Sequence, residues 1–130
     1  MKPEIKILPD SYTILRFDPE SSIPDFALNS PFYSVTKTGD ELSVVCREQE
    51  LVKGNYRSST CWKILELEGP LDFSIVGLIS DLTGVLKKSG VATFVISSYD
   101  TDFILIKKNM LERATEGLKA AGYKVNPKEY

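Results

Sequence analysis

The hydrophobic positions in the second half of the chain follow two periods, and each period predicts a different kind of element. From Phe73 to Leu86 the apolar residues recur at helical spacing, which predicts an amphipathic helix. Asp72 stands where its N-cap is expected, and Gly90 stands where a glycine commonly ends a helix. Residues 91–97 and 103–106 are rich in β-branched and other apolar residues, and they predict two strands joined by a polar turn.

The flanking segments complete a βαββαβ order. Residues 62–68 alternate apolar and charged positions toward their end, which predicts a strand before the first helix. Residues 109–112 have a capping-box-like pattern at the start of a second helix, Gly122 ends that helix, and residues 123–125 supply a last strand. The inward face of this second helix is predicted at Leu111, Ala114, Leu118 and Ala121. The predicted fold class is therefore α+β, with the ferredoxin-like split βαβ arrangement over residues 62–130.

Residues 1–61 have a weaker pattern with short apolar runs between turns. The predicted strands are residues 5–8, 12–17, 32–36 and 42–46. Residues 49–52 predict a short helix and residues 53–60 a polar loop. Because Glu41–Val45 matches Asp102–Ile106 in residue type, we interpret residues 1–61 as a degenerate half of the same kind.

Composition excludes several classes of function. The chain of 130 residues has no histidine, so the usual general base and the commonest metal ligand are missing. The two cysteines lack the spacing of a zinc site, and we expect no metal or cofactor. Lysine and arginine are scattered in a chain of net charge -2, which argues against nucleic acid as a partner. We see no membrane span or signal peptide, so we expect a cytoplasmic protein away from membranes.

Catalysis by carboxylates is the remaining enzymatic possibility. The acidic residues available near the predicted turns are Glu66, Glu68, Asp72 and Asp100. They show no paired spacing of the kind that general acid–base chemistry requires. We therefore expect no catalysis by this chain.

The turn between the two predicted strands belongs to a recognisable motif. Residues 97–105 read SSYDTDFIL, which resembles the S-(T/S)-Y-D-T-D-(Y/F)-I-L signature of ACT domains, small modules that sense amino acids. ACT domains of this type occur in the cytosolic arginine sensor of animal growth signalling and in many small bacterial proteins. Residues 32–45, FYSVTKTGDELSVV, resemble the partner region of the small bacterial tandem proteins. The resemblance extends well over residues 62–125 and implies a degenerate ACT-like half at 1–61 before an ACT domain at 62–130.

The resemblance implies a regulatory or sensory protein that binds a free amino acid or similar small effector and forms a homodimer. In such domains the ligand lies between two ACT units, against the loop after the first strand and against the second strand. The residues matching these walls are Gly69, Pro70, Leu71, Asp72, Phe73, Val91, Ala92, Thr93 and Phe94. The arginine sensor has a serine–valine pair where this chain has Ala92 and Thr93, which argues against arginine as the effector.

Physical reasoning on the same residues leaves alternatives open. Backbone amides at residues 71–74 could bind an α-carboxylate, with the ligand side chain near Ala92 and Thr93. Asp72 is either a helix cap or a ligand contact, and Gly69 either permits a turn or allows a ligand to approach closely. A ligand-free interaction or assembly module that uses an exposed sheet edge is the alternative function.

Overall fold

The computed structural model describes residues 3–49, 56–67 and 77–129. The elements in these parts are β1 (Ile5–Ile7), β2 (Tyr12–Phe17), α1 (Asp25–Leu28), β3 (Ser34–Lys37), β4 (Leu42–Arg47), β5 (Tyr56–Leu67), α2 (Leu78–Lys88), β6 (Phe94–Ser97), β7 (Asp102–Lys107), α3 (Leu111–Ala120) and β8 (Val125–Pro127). A short 3-10 helix, Lys108–Met110, precedes α3. The chain divides into a larger unit, Met1–Pro9 with Lys63–Tyr130, and a smaller unit, Asp10–Trp62.

The larger unit confirms the predicted ferredoxin-like α+β fold. Strand β7 lies between β5 and β6, and β6 pairs antiparallel with β7. On the other side of β5 lies β1, with Ile5 opposite Leu67, and β8 pairs parallel to β1 with Val125 opposite Ile5. The sequence pattern predicts the strand at residues 5–8 but assigns it to the N-terminal half. The structure instead inserts it between β5 and β8, because Ile5 is fully buried in the core of the larger unit.

Helices α2 and α3 cover one hydrophobic core in this unit. Their buried residues, Leu82, Leu86, Ala114 and Leu118, lie on the stripes that the helical spacing predicts. The other buried members of the core come from the strands and the segments next to them: Ile5, Leu65, Leu67, Val91, Ile104, Ile106, Tyr123 and Val125. The apolar strand β7 is central and covered, as predicted, because Ile104, Leu105 and Ile106 have no exposed surface.

Both helices end just before the predicted glycines. Gly90 and Gly122 have φ of 77° and 97°, the left-handed conformation that glycine adopts without strain. After α2, the Gly90 N–H donates to the Lys87 carbonyl at 3.0 Å and the Val91 N–H to the Leu86 carbonyl at 2.9 Å. These two bonds form a Schellman motif, which satisfies the carbonyls at the helix end.

The N-terminal ends of both helices differ from the prediction. Helix α2 begins at Leu78 with Gly77, φ 80°, in the N-cap position, so the predicted start at Phe73 is wrong. The predicted cap, Asp72, is not among the described residues. Residues 68–76 lie outside the described residues. Helix α3 has Met110 at its N-cap with no side-chain hydrogen bond, so the capping box predicted over residues 109–112 does not form.

The smaller unit contains the sheet order β3-β4-β2-β5. The predicted hairpin forms between β3 and β4, and α1 is a single turn of helix that precedes it along the chain. Its core consists of Leu15, Ala27, Leu42, Val44 and Cys46. The loop predicted over residues 53–60 is wrong from Tyr56 onward, because β5 begins there and pairs with β2, placing Leu15 opposite Ser58. Residues 50–52 of the predicted short helix lie outside the described residues.

Strand β5 is irregular near Cys61. This residue has φ of 63°, and the pairing of β2 with β5 shifts register between Tyr12 and Ile14. The Cys61 N–H donates to Glu48 Oε1 at 3.1 Å instead of to a neighbouring strand. A β-bulge of this kind bends a strand and interrupts its ladder.

Candidate functional site

Helix α2 has a polar face as well as a buried one. Ser80, Thr83, Gly84 and Lys87 recur at intervals of three and four residues, which places them on one side of a helix. With the segment that follows the helix they line one groove in the larger unit, of about 520 Å³, which we call the α2 groove. Its lining residues are Ser80, Thr83, Gly84, Lys87, Gly90, Val91, Ala92 and Thr93.

Two glycines shape the α2 groove. A Cβ atom on Gly84 would have no heavy atom within 4 Å, so the missing side chain leaves open space beside the helix. The left-handed Gly90 turns the chain, and the Val91 hydrogen bond to Leu86 holds the turn. Val91 is therefore buried in the core while Ala92 is exposed at the wall of the groove.

The described lining residues carry hydroxyl groups and a single charge. Thr83 Oγ1 donates to the Ile79 carbonyl at 2.7 Å, so its hydrogen is used within the helix. Ser80 and Thr93 contribute two further hydroxyls, and Lys87 contributes an ammonium group. The described lining residues include no carboxylate, and this part of the groove suits a polar or negatively charged ligand group better than a cation.

Two observations on the described residues concern metal binding and thiol chemistry. No group of three or more Cys, Asp or Glu side chains that could hold a metal ion occurs among them. Cys46 is buried and free, and burial raises the pKa of its thiol to about 11, which keeps it protonated and a poor nucleophile near neutral pH. Within the described parts, no helix is long and apolar enough to cross a membrane.

The structure brings together part of the predicted site. Val91, Ala92 and Thr93 line the α2 groove, whereas Phe94 begins β6 and is not part of the lining. The other predicted residues, Gly69, Pro70, Leu71, Asp72 and Phe73, lie outside the described residues. Sequence reasoning missed the α2 residues because it used the helix only for its apolar stripe. The signal was the small and hydroxylated character of the opposite face.

The predicted hairpin of the motif SSYDTDFIL forms between β6 and β7. The Ser98 N–H donates to the Thr101 carbonyl at 2.8 Å, and Ser98 Oγ donates to the same oxygen at 3.0 Å. Ser97 Oγ donates to Asp102 Oδ1 where the two strands meet the turn. These bonds explain the polar residues of the motif as turn-forming groups, and they leave Tyr99 at the tip with 84% of its surface exposed.

Strand β6 forms the edge of the sheet in the larger unit. Among the described strands it pairs only with β7, and its residues Phe94 and Val95 are 37% and 41% exposed. No charged residue or proline occurs in residues 92–99. Proteins usually protect an exposed edge with lysine, proline or a bulge, so within the described parts of the chain this edge is open to another strand.

Comparison with known proteins gives matches over both units. The sequence profile of the ACT domain family matches residues 57–120, and the profile of a second family, described as an N-terminal domain, matches residues 10–53. No curated protein matches the chain.

Solved structures with a similar fold extend over nearly the whole chain. Protein Atu0741 from Agrobacterium tumefaciens is 31% identical, with a TM-score of 0.89 over 100% of this chain and 96% of its own. VC0802 from Vibrio cholerae, described as a possible transport protein of unknown function, is 18% identical, with a TM-score of 0.74 over 92% of this chain and 89% of its own. The regulatory subunit of aspartate kinase from Thermus thermophilus is 10% identical, with a TM-score of 0.64 over 94% of this chain and 99% of its own.

Proposed function

Because the chain contains an ACT domain over residues 57–120, we propose that it is a regulatory protein that binds a small effector and has no catalysis of its own. The observation that carries this proposal is the α2 groove, since three residues predicted to contact a ligand line it. Its volume of about 520 Å³ lies within the range of small-molecule sites. The likeness in fold to the regulatory subunit of an aspartate kinase supports a regulatory role.

The proposed effector is a free amino acid or a similar small molecule. Its α-carboxylate would meet the backbone amides of residues 71–74, and its side chain would lie near Ala92 and Thr93. Gly69, Pro70 and the residues up to Phe73 would form the first wall, and Val91–Phe94 would form the second wall. The hydroxyls of the α2 groove support this proposal because polar ligand groups need hydrogen-bond partners once they leave water.

We place the protein in the cytoplasm as a homodimer. The edge strand β6 supports self-association, because two copies could pair it antiparallel with no like charges opposed. Residues 69–73 precede α2 along the chain and Val91–Phe94 follow it, so a second copy could bring one wall of each chain to the same ligand. The effector would then bind the dimer more tightly than the monomer, which is how binding could regulate assembly.

A thermal-shift panel of the twenty amino acids at about 1 to 10 mM tests the proposal, because a ligand that binds the native state raises its melting temperature. We expect one or a few amino acids to raise the Tm of the wild-type protein. Thr93→Trp should abolish this shift by filling the α2 groove. Thr36→Trp, an exposed threonine of β3 in the smaller unit, is the matched control and should keep it. A flat panel for a folded wild-type protein would contradict amino-acid sensing.

The exposed apolar residues of the β6 edge also favour a second candidate, an assembly module without a ligand. In that case Val95→Lys would convert a dimer to a monomer in sedimentation velocity, and no amino acid would change the wild-type association constant. Thr36→Lys, on the edge strand of the smaller unit, controls for the added charge. A dimer that tightens with an effector would instead favour the first proposal.

A further inference from the structure

We infer that the effector is acidic, an amino acid of the aspartate or glutamate type, and that its side-chain carboxylate binds at Lys87 in the α2 groove. This inference rests on the proposed function, because it assumes that an amino acid binds at this groove. It adds the charge of the ligand, which the ACT fold alone does not specify.

The charge of the lining is the first argument. Among the described residues that line the α2 groove, Lys87 is the only charged one, in a chain whose net charge is -2. A basic ligand side chain placed at Lys87 would meet an ammonium group of like charge. A carboxylate would meet an opposite charge, and such charge-assisted hydrogen bonds are stronger than neutral ones.

A second cation lies beside the groove. Arg113 Nη1 is 3.6 Å from the position that a Cβ on Gly90 would occupy, so the guanidinium of α3 adjoins the groove wall. Within the described parts of the chain, neither Lys87 nor Arg113 forms an ion pair. Asp81, the only acidic residue of α2, instead accepts a hydrogen bond from the Tyr123 hydroxyl at 2.5 Å. Neither cation is therefore held in an ion pair by a described carboxylate.

The shape of the groove is compatible with a short acidic side chain. Gly84 leaves open space on the helix side, and Thr93 offers a hydroxyl donor from the opposite wall. The carbonyls of Leu86 and Lys87 at the end of α2 already accept bonds from Val91 and Gly90. Their engagement limits the repulsion that the negative end of a helix exerts on an anion.

The ligand comparison uses acid–amide pairs of nearly equal size. Isothermal titration calorimetry with aspartate against asparagine, and glutamate against glutamine, measures the effect of one ligand charge. We expect one of the acids to bind at least tenfold more tightly than its amide, about the effect of one charged hydrogen bond. Raising the salt concentration should lower the affinity for the acid and leave the affinity for the amide unchanged, because salt screens exposed charge pairs.

The matched protein variants are Lys87→Gln and Lys88→Gln. Both remove one positive charge from the last turn of α2, but only Lys87 lines the groove. We expect Lys87→Gln to lower the affinity for the acid by about fivefold or more, and Lys88→Gln to lower it by less than about twofold. Because both lysines are exposed, we expect the melting temperature of each ligand-free variant to stay close to wild type.

The outcomes separate the two proposals. If a neutral or basic amino acid binds better than the acids, the regulatory function stands and the acidic effector is overturned. If an acid binds but both lysine variants weaken it equally, its carboxylate does not bind at Lys87 and this inference is also overturned. If no amino acid binds the folded wild-type protein, the proposed function itself fails.

Discussion

Helices α2 and α3 are similar in length and ending but use a central glycine in opposite ways. They contain 11 and 10 residues, pack on the same core and end in a left-handed glycine. A Cβ on Gly84 of α2 would meet open space, whereas a Cβ on Gly117 of α3 would overlap Ser89 Oγ and lie 3.4 Å from Ser89 Cβ. One glycine therefore leaves room for a groove, and the other permits close packing between helices. The sequence shows a glycine at both positions and does not distinguish the two roles.

The largest effect that tests this difference is expected at Gly117. Alanine is the better helix former by about 1 kcal/mol, but it would have to displace the Ser89 hydroxyl from its bond to the Val85 carbonyl. We expect Gly117→Ala to lower the free energy of unfolding by a net amount of about 1 to 2 kcal/mol, measured by urea denaturation.

Ser89→Ala provides the control for this clash. In a double-mutant cycle, Gly117→Ala should be less destabilising when Ser89 has no hydroxyl, and the difference measures the coupling between the two sites. Additive effects of the two substitutions would show that Ser89 is not what limits the size of residue 117.

A smaller effect is expected where α2 meets the end of α3. Burial, with the hydrogen bond to Asp81 and its negative charge, raises the pKa of Tyr123 above its ordinary value. A raised folded-state pKa favours the protonated phenol, so its stabilisation is complete below about pH 10 and is lost as the pH rises further. We expect Tyr123→Phe to cost about 1 kcal/mol at pH 8, because one hydrogen bond is lost. The wild-type advantage should shrink above about pH 10 in thermal melts.

Tyr33→Phe is the matched control, since Tyr33 is an exposed tyrosine of the smaller unit. It should leave both the stability at pH 8 and the alkaline slope close to those of the wild type. If Tyr123→Phe lost stability with rising pH as steeply as the wild type, the assignment of this pH dependence to Tyr123 would be contradicted.

The smallest effect has the opposite sign and concerns Gly84. Gly84→Ala should stabilise the protein by up to about 1 kcal/mol, because alanine is the better helix former and its methyl group meets no neighbour. The same methyl group enters the α2 groove, so effector affinity should fall while stability rises. A destabilised Gly84→Ala variant would mean that this face of α2 is already covered, for example by a second copy.

The parts of the fold that depend on local pattern could be predicted from the sequence. The buried stripes of α2 and α3, the glycines that end them and the hairpin at Ser97–Asp102 all follow from short-range spacing and turn chemistry. The part of β5 that begins at Tyr56 could not be predicted, because its polar residues are held by pairing to β2 rather than by burial of an alternating pattern. The start of α2 was missed because apolar residues continue upstream of Gly77, so the helical period does not mark its true beginning.

The resemblance to the ACT motif identified only part of the candidate site. Val91, Ala92 and Thr93 were identified by their position in the resemblance, and the structure places them in a groove. The contribution of Lys87 and Gly84 depends on which face of α2 is left uncovered. That face is determined by tertiary packing, and amphipathicity alone indicates only that it is polar.

The place of β1 between β5 and β8 has a consequence for how the larger unit is assembled. Asn126 donates to Glu4 at 2.6 Å across 122 residues of sequence, and the Lys128 N–H bonds to the Ile7 carbonyl. The sheet of this unit therefore cannot be completed on a ribosome until its last strand has emerged. The Leu8 N–H donates to the Ile64 carbonyl at 2.9 Å, so the chain leaves and re-enters this unit at adjacent points. The smaller unit is thus inserted in the chain between the paired strands β1 and β5. If a short turn replaced it, these two strands would form a simple β-hairpin.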